Sequence, residues 1–236
     1  MLLQYFENPR VIDLEYGLLI SGSYILNADG VRLDTFNIAV IIHENFPIIP
    51  PIVLLNDRKI PWTASRHVSE RGVCCICVHE DWLIYSKKRD IVDYFDQAIY
   101  NFFLSQYYFE LSGNWCFGEY EHSGDGLIAA YSNILACEPD FIVVADFLIL
   151  AASEVIHLNE KCPCGSLKRL TDCHGPQLDV IRKCVSYRGR KRLLSAFFAE
   201  SSNRLFFAMN VIFEDTRLKQ RFGSLPVITP KDLSLN

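Results

Sequence analysis

The sequence predicts an α+β chain in which an antiparallel meander sheet is covered by helices and followed by a second, mostly helical domain carrying a metal knuckle. Three observations lead there. Apolar runs between Leu18 and Ile42 are divided by Asn27-Ala28-Asp29-Gly30, and Asp-Gly is a strong hairpin signal. Residues 90–111 carry apolar side chains at helical spacing. Residues 161–175 concentrate three cysteines and a histidine.

Composition sets the frame for these elements. Half of the 236 residues are hydrophobic and 22% are charged, the balance of a chain with a packed core. The start lacks the charged segment, apolar run and small-residue cleavage site of a secretion signal, so a cytoplasmic protein is expected. The most apolar stretch, Phe141 to Ala152, contains Asp146 and falls short of the roughly 20 residues needed to cross a bilayer. It reads as a buried helix, and no membrane partner is expected. Nine cysteines, an odd number in tight clusters, suit metal binding or catalysis with reduced thiols better than a disulfide framework.

Charge divides the chain. Residues 1–136 hold 9 Lys and Arg against 17 Asp and Glu, a balance of -8, and residues 137–236 hold 14 against 11, a balance of +3. Different roles for the two parts follow, and neither is basic enough to predict nucleic acid as the main partner. The expected domains are therefore 1–136 and 137–236.

In order, Pro9 limits any opening helix to a turn or two, and the extended signal starts at Leu14. Strands are expected at 18–26, 35–42 and 52–55, the last short and apolar enough to be buried. Between the second and third, Phe46-Pro47-Ile48-Ile49-Pro50-Pro51 has three residues unable to donate ladder hydrogen bonds, so a rigid extended connection is expected.

The stretch from Arg66 to Trp82 holds the candidate nucleophile. Gly72 lies three residues before Cys75, His67 five before that glycine, and Trp82 seven after the cysteine. Cys74-Cys75-Ile76-Cys77 alone also reads as a short buried strand, because free cysteine behaves as a small hydrophobe. In the helix that follows, Ile91, Tyr94, Phe95, Ala98, Ile99, Phe102 and Phe103 share one face, and Asp93, Asp96, Gln97 and Asn101 share the other. Residues 113–126 read as an ordered loop, in which Glu119 and His122 either face the active site or cap the next helix.

The aromatic-Pro-x-x-Pro-Pro segment, placed before His67, Gly72 and Cys75, resembles the ubiquitin-conjugating enzyme family. There such a segment links meander strands and a histidine loop leads into the catalytic cysteine. The family reads His-Pro-Asn, a glycine, then a hydrophobic residue and the cysteine; the matching positions are His67-Val68-Ser69, Gly72 and Cys74-Cys75. This assigns the nucleophile to Cys75. The resemblance implies a scaffolding role for His67. Ser69 stands where the family's asparagine supports the oxyanion, so either its hydroxyl or the backbone N–H groups of the Gly72 turn are the expected donors. The Gly-Glu-x-x-His-x-Gly pattern at 118–124 resembles bacterial members. The resemblance spans about residues 17–131, with an apparent insertion between Pro51 and His67.

In the second domain a helix is expected at about 140–156. Cys162, Cys164, Cys173 and His174 then supply one complete tetrahedral zinc set. Cys162-Pro163-Cys164-Gly165-Ser166-Leu167-Lys168 with Cys173-His174 resembles the SEC-C motif, a small metal knuckle, with Leu167 in place of its second glycine. Structural Zn2+ is the expected cofactor. A helical stretch follows, which Gly189 divides, and Tyr187 to Arg192 reads as a solvated basic face.

The two resemblances imply a cysteine acyltransferase of bacterial antiviral operons. It would take the C-terminus of a ubiquitin-like protein, or of a nucleotide-second-messenger synthase, from an activating enzyme and pass it to an amine on a target protein. The alternatives are an inactive module that only binds a ubiquitin-like partner, and a cysteine hydrolase using His67, His79 or His122 as base.

Overall fold

The computed structural model describes residues 2–117 and 124–200. Four strands, β1 (Phe6–Leu14), β2 (Gly17–Ala28), β3 (Val31–His43) and β4 (Ile52–Leu55), form one antiparallel sheet in the order β1-β2-β3-β4. Asp29 and Gly30 turn the chain between β2 and β3 with φ of 49° and 77°, and Ala28 pairs with Val31 across them. Two successive positive φ values match the right-handed twist of the strands they join.

The meander is one strand longer than expected. Residues 6–14 are a strand despite Pro9, because β1 is an edge strand and its pairing with β2 shifts between Glu7 and Arg10. A proline at a bulge on a sheet edge costs no ladder hydrogen bond. The proline segment differs too. Residues 44–48 are turned rather than extended, with a cis Phe46–Pro47 bond and Asn45 O accepting from the N–H of Ile48.

After the site loop, α1 (His79–Tyr85) is a short helix that the sequence reading passed over. A single long helix then covers the inner face of the sheet: α2 (Ile91–Tyr94), a π turn over Phe95–Ile99, and α3 (Tyr100–Ser112), ended by Gly113 in the left-handed conformation. Its expected apolar face is buried except for the half-buried Ile91, and the Phe103 ring packs 4.5 Å from Phe36 and 5.1 Å from Tyr24, centroid to centroid. Asp93 departs from expectation by being buried. It accepts hydrogen bonds from the Ser86 hydroxyl and from Gln97 Nε2, which replace the water it gives up.

The remaining helices are α4 (Gly124–Leu135), α5 (Phe141–Ala152), α6 (Gly175–Cys184) and α7 (Tyr187–Glu200). Asp140 caps α5, its carboxylate accepting from the N–H groups of Ile142 and Val143 at 2.9 and 3.0 Å. The break between α6 and α7 falls at Val185–Ser186, and Gly189 lies inside α7. Arg190, expected on a solvated face, is buried and donates to the carbonyls of Arg182 and Val185; Arg188, Lys191 and Arg192 are exposed.

Residue 136, where the sequence divides the chain, lies between α4 and α5. α4 packs on α5, α6 and α7, and α6 packs on α1. Buried apolar side chains form one continuous core from Phe6 to Phe197. Among the described residues, no helix is long and apolar enough to cross a membrane.

Candidate functional site

The candidate site is built on a turn that returns the chain to the sheet. Gly72 N–H donates to Ser69 O at 2.9 Å and Ser69 N–H to Val73 O at 2.9 Å, closing a tight reversal with Gly72 at φ 79°. A side chain is excluded there: a Cβ on Gly72 would lie 2.8 Å from the Trp62 ring and 2.9 Å from Leu55 O. The chain then pairs along the outer edge of β4, with Leu55 N–H donating to Gly72 O and Cys74 N–H to Val53 O, each at 2.8 Å.

Extended pairing alternates side chains, and this separates the neighbouring thiols. Cys74 is buried, and desolvation pushes its thiol up to about 12; Cys75 is exposed. Cys77 is exposed as a residue, but its Sγ turns to within 3.7 Å of Tyr94 Oη, and desolvation pushes that thiol up to about 12 as well. Nucleophilic sulfur must be both ionisable and reachable, so the geometry favours Cys75 of the three.

His67 fixes this loop through its backbone. It has φ 52°, and its carbonyl accepts from Cys75 N–H at 2.8 Å. Its ring meets Trp115 edge to face, with centroids 5.7 Å apart. Beneath it, Arg66 is buried: Nε donates to Gln106 Oε1 at 2.9 Å, Nη1 pairs with Glu110 at 2.5 Å, and Gln106 Nε2 returns a bond to Arg66 O. Arg66, Gln106 and Trp115 anchor the loop to α3; the sequence marks Trp115 only as an aromatic of an ordered loop and gives Arg66 and Gln106 no role. The only signal for them is the unusual placement of a glutamine on a helix face otherwise rich in aromatics.

Ser69 also has a structural part in the loop. Its Oγ accepts from Val73 N–H at 3.0 Å and Arg71 N–H at 3.3 Å, bracing the turn. The N–H groups of Arg71, Gly72, Val73, Cys74 and Cys75 all donate within the loop or to β4. Those backbone amides are therefore already committed, and the Ser69 hydroxyl hydrogen is the donor that remains from the expected set. Glu119 and His122 lie outside the described residues.

His79, at the start of α1, is buried; Nε2 donates to Pro47 O at 2.7 Å, and its ring stacks on Trp82 at 5.5 Å. Burial holds its pKa below the ordinary histidine value, against the weaker opposing pull of the Pro47 carbonyl and Glu80.

The second cluster lies where α4 meets the start of α6. One ligand atom from each of Cys162, Cys164, Cys173 and His174 falls within 4.8 Å of every other, so the four can hold a metal ion. His174 Nδ1 is 3.2 Å from Cys162 Sγ and 3.1 Å from Cys173 Sγ, and Cys164 Sγ is 3.5 Å from Cys173 Sγ. Tetrahedral ligands about 2.3 Å from a zinc ion stand about 3.8 Å apart, so modest spreading accommodates one. His174 Nε2 contacts Ala136 O at 3.0 Å and must donate there, which leaves Nδ1 as the metal-facing acceptor. Although burial opposes ionisation of Cys164, hydrogen bonding by Ser166, Cys162 and Cys173 brings its thiol down to about 6, whereas burial pushes the neighbouring Cys162 thiol up to about 12.

No family model, curated protein or solved structure matches this chain.

The knuckle itself is a small hairpin in which Lys161 pairs with Arg169 and Cys162 N–H donates to Lys168 O at 2.8 Å. Gly165 takes φ 77° and Leu167 takes φ 62°, a left-handed conformation that suits glycine and strains leucine.

Proposed function

We propose that this chain is a ubiquitin-conjugating-like acyltransferase with Cys75 as nucleophile and a structural zinc ion on Cys162, Cys164, Cys173 and His174. The observation that carries the first part is the parity of the site segment. Cys75 is exposed at the end of a glycine turn, with its amide tied to His67 and its neighbour Cys74 turned into the core. The order of meander, proline segment, histidine loop, cysteine and covering helix supports the same reading.

In the proposed reaction the Cys75 thiolate attacks the C-terminal carbonyl of a ubiquitin-like protein, or of a nucleotide-second-messenger synthase, delivered by an activating enzyme. A thioester C–S bond forms at Cys75 as the C–S bond to the activating enzyme's cysteine breaks and that thiolate leaves. An amine of the target then attacks that carbonyl, an amide forms, and the thiolate departs. His67 holds the loop, and the Ser69 hydroxyl is the candidate donor to the developing oxyanion, a contact of a kind worth about 2.7–4 kcal/mol of barrier. The zinc site is closed by four protein ligands and takes no part in acyl transfer; its thiolates and imidazole would staple the knuckle to α6. A bacterial antiviral operon is the proposed setting.

A hydrolase reading is less well supported, because His79 is buried and committed to the Pro47 carbonyl. The test is a loading reaction with the activating enzyme and modifier of the same operon and ATP. An adduct that reductant removes is expected from wild type and from Cys74→Ala, and none from Cys75→Ala. An adduct on Cys75→Ala sinks the assignment.

A further inference from the structure

A groove of about 680 Å³ opens beside Arg66, the residue before His67, lined by Thr63, Ser65, Arg66, Phe109, Asn114 and Trp115 among others. The guanidinium of Arg66 lies over the Phe109 ring at 4.5 Å and near the Trp115 ring at 5.8 Å. Arg66 is only 8% exposed, and its Nη2 is buried without a hydrogen-bond partner among the described residues. Leaving a charged donor unsatisfied costs more than an ordinary unmade hydrogen bond. Thr63 Oγ1 and Ser65 Oγ share one hydrogen bond at 3.0 Å, which leaves one hydroxyl hydrogen over. The unpartnered guanidinium nitrogen and the spare hydroxyl hydrogen are both donors, and their complement is an acceptor-rich anionic group.

The same guanidinium already demonstrates the preference. Glu110 pairs with Nη1 at 2.5 Å through a side chain that is 56% exposed. A single planar guanidinium suits one carboxylate, the group that Glu110 already presents to it.

We propose that this groove binds a carboxylate side chain of the polypeptide loaded on Cys75, the incoming carboxylate replacing Glu110 on the Arg66 guanidinium. This rests on the thioester reading above. The link between groove and thiol is direct: Trp115 packs on the His67 ring, and the His67 carbonyl holds the Cys75 amide. An acidic residue a short distance upstream of the modifier's C-terminus would thus be read while its last carbonyl reaches the sulfur.

The test uses the full chain and the blocked peptide N-acetyl-Gly-Gly-Glu-Gly-Gly-amide, with the Gln peptide as its control. NMR of the Trp115 indole N–H and the Arg66 Nε–H follows the titration. The Glu peptide is expected to shift both signals and to bind at least about fivefold more tightly than the Gln peptide, and Glu110→Gln is expected to tighten it about fivefold further. Glu110→Gln removes only an exposed partner, so the fold is retained while the competitor is lost. Equal binding of the two peptides, no change with Glu110→Gln, or stronger shifts from inorganic phosphate overturns the proposal. Binding requires neither ATP nor Cys75, so Cys75→Ala must bind the Glu peptide equally. Binding without any thioester in the loading reaction overturns the transferase reading, and a thioester without carboxylate preference overturns the groove alone.

Discussion

The imidazole of His174 donates from Nε2 to the carbonyl oxygen of Ala136, 38 residues earlier in the chain, across 3.0 Å. One hydrogen bond thus sets the tautomer of a candidate metal ligand and ties the knuckle to the end of α4. The purified protein is expected to hold close to one equivalent of zinc by elemental analysis. Cys162→Ser and His174→Ala should both lose it. Chelation should lower the melting temperature and cost several kcal/mol, since structural zinc contributes about 10–16 kcal/mol of apparent binding energy in small fingers. Metal-free protein of unchanged melting temperature would contradict this.

Leu167 offers a stabilising substitution. It holds φ 62° and is 77% exposed, so little packing offsets the left-handed strain. Leu167→Gly is expected to raise stability by about 1 kcal/mol, the rough cost of that conformation for an L-residue less the entropy glycine adds to the unfolded chain. Denaturant midpoints measured with zinc saturating would report it.

His79 predicts a pH dependence. Its folded pKa lies below the unfolded value near 6.5, so on acidification the unfolded chain takes up a proton that the folded chain refuses. Its contribution to stability is complete above about pH 6.5 and falls as pH drops toward the folded pKa, by up to about 1.4 kcal/mol per unit. His79→Gln retains a donor for Pro47 O but cannot titrate. Urea unfolding at pH 7.5 and 5.5 should show a smaller loss in that variant than in wild type.

The thiols of the site segment should separate under alkylation. With iodoacetamide near pH 8, Cys75 is expected to react at least about tenfold faster than Cys74, which is buried, or Cys77, whose Sγ is turned in against Tyr94; desolvation raises both of those thiols. Peptide mass spectrometry resolves the three positions. Faster labelling of Cys74 would mean that the segment does not pair on β4 as described.

Much of this fold is legible from local signals. Asp29-Gly30, the apolar run 52–55 and the helical spacing from Ile91 to Phe103 each act within a few residues, and each element forms where its signal lies. The departures arise where distant residues decide. Pro9 sits in a strand because it falls on an unshared edge at a shift of register, and Asp93 is buried because Ser86 and Gln97 satisfy it. Arg190 turns inward toward carbonyls at the end of α6. In the metal cluster the four side chains are close in sequence and were readable there; the tether to Ala136 was not. At the site loop, the family resemblance points to Cys75, but the commitment of the turn's amides and the Arg66–Gln106 anchor follow only from the folded arrangement.

Pairing of residues 72–74 on β4 makes the identity of the reactive sulfur a matter of odd and even positions. Deleting one residue between Gly72 and Cys74 while keeping that pairing would move Cys75 into the buried place of Cys74 and bring Ile76 outward. Inserting one would instead present Cys74 to solvent with another residue behind it. The doubled cysteine therefore gives the segment two phases, and a chain altered by one inserted codon would still display a thiol at this edge of the sheet.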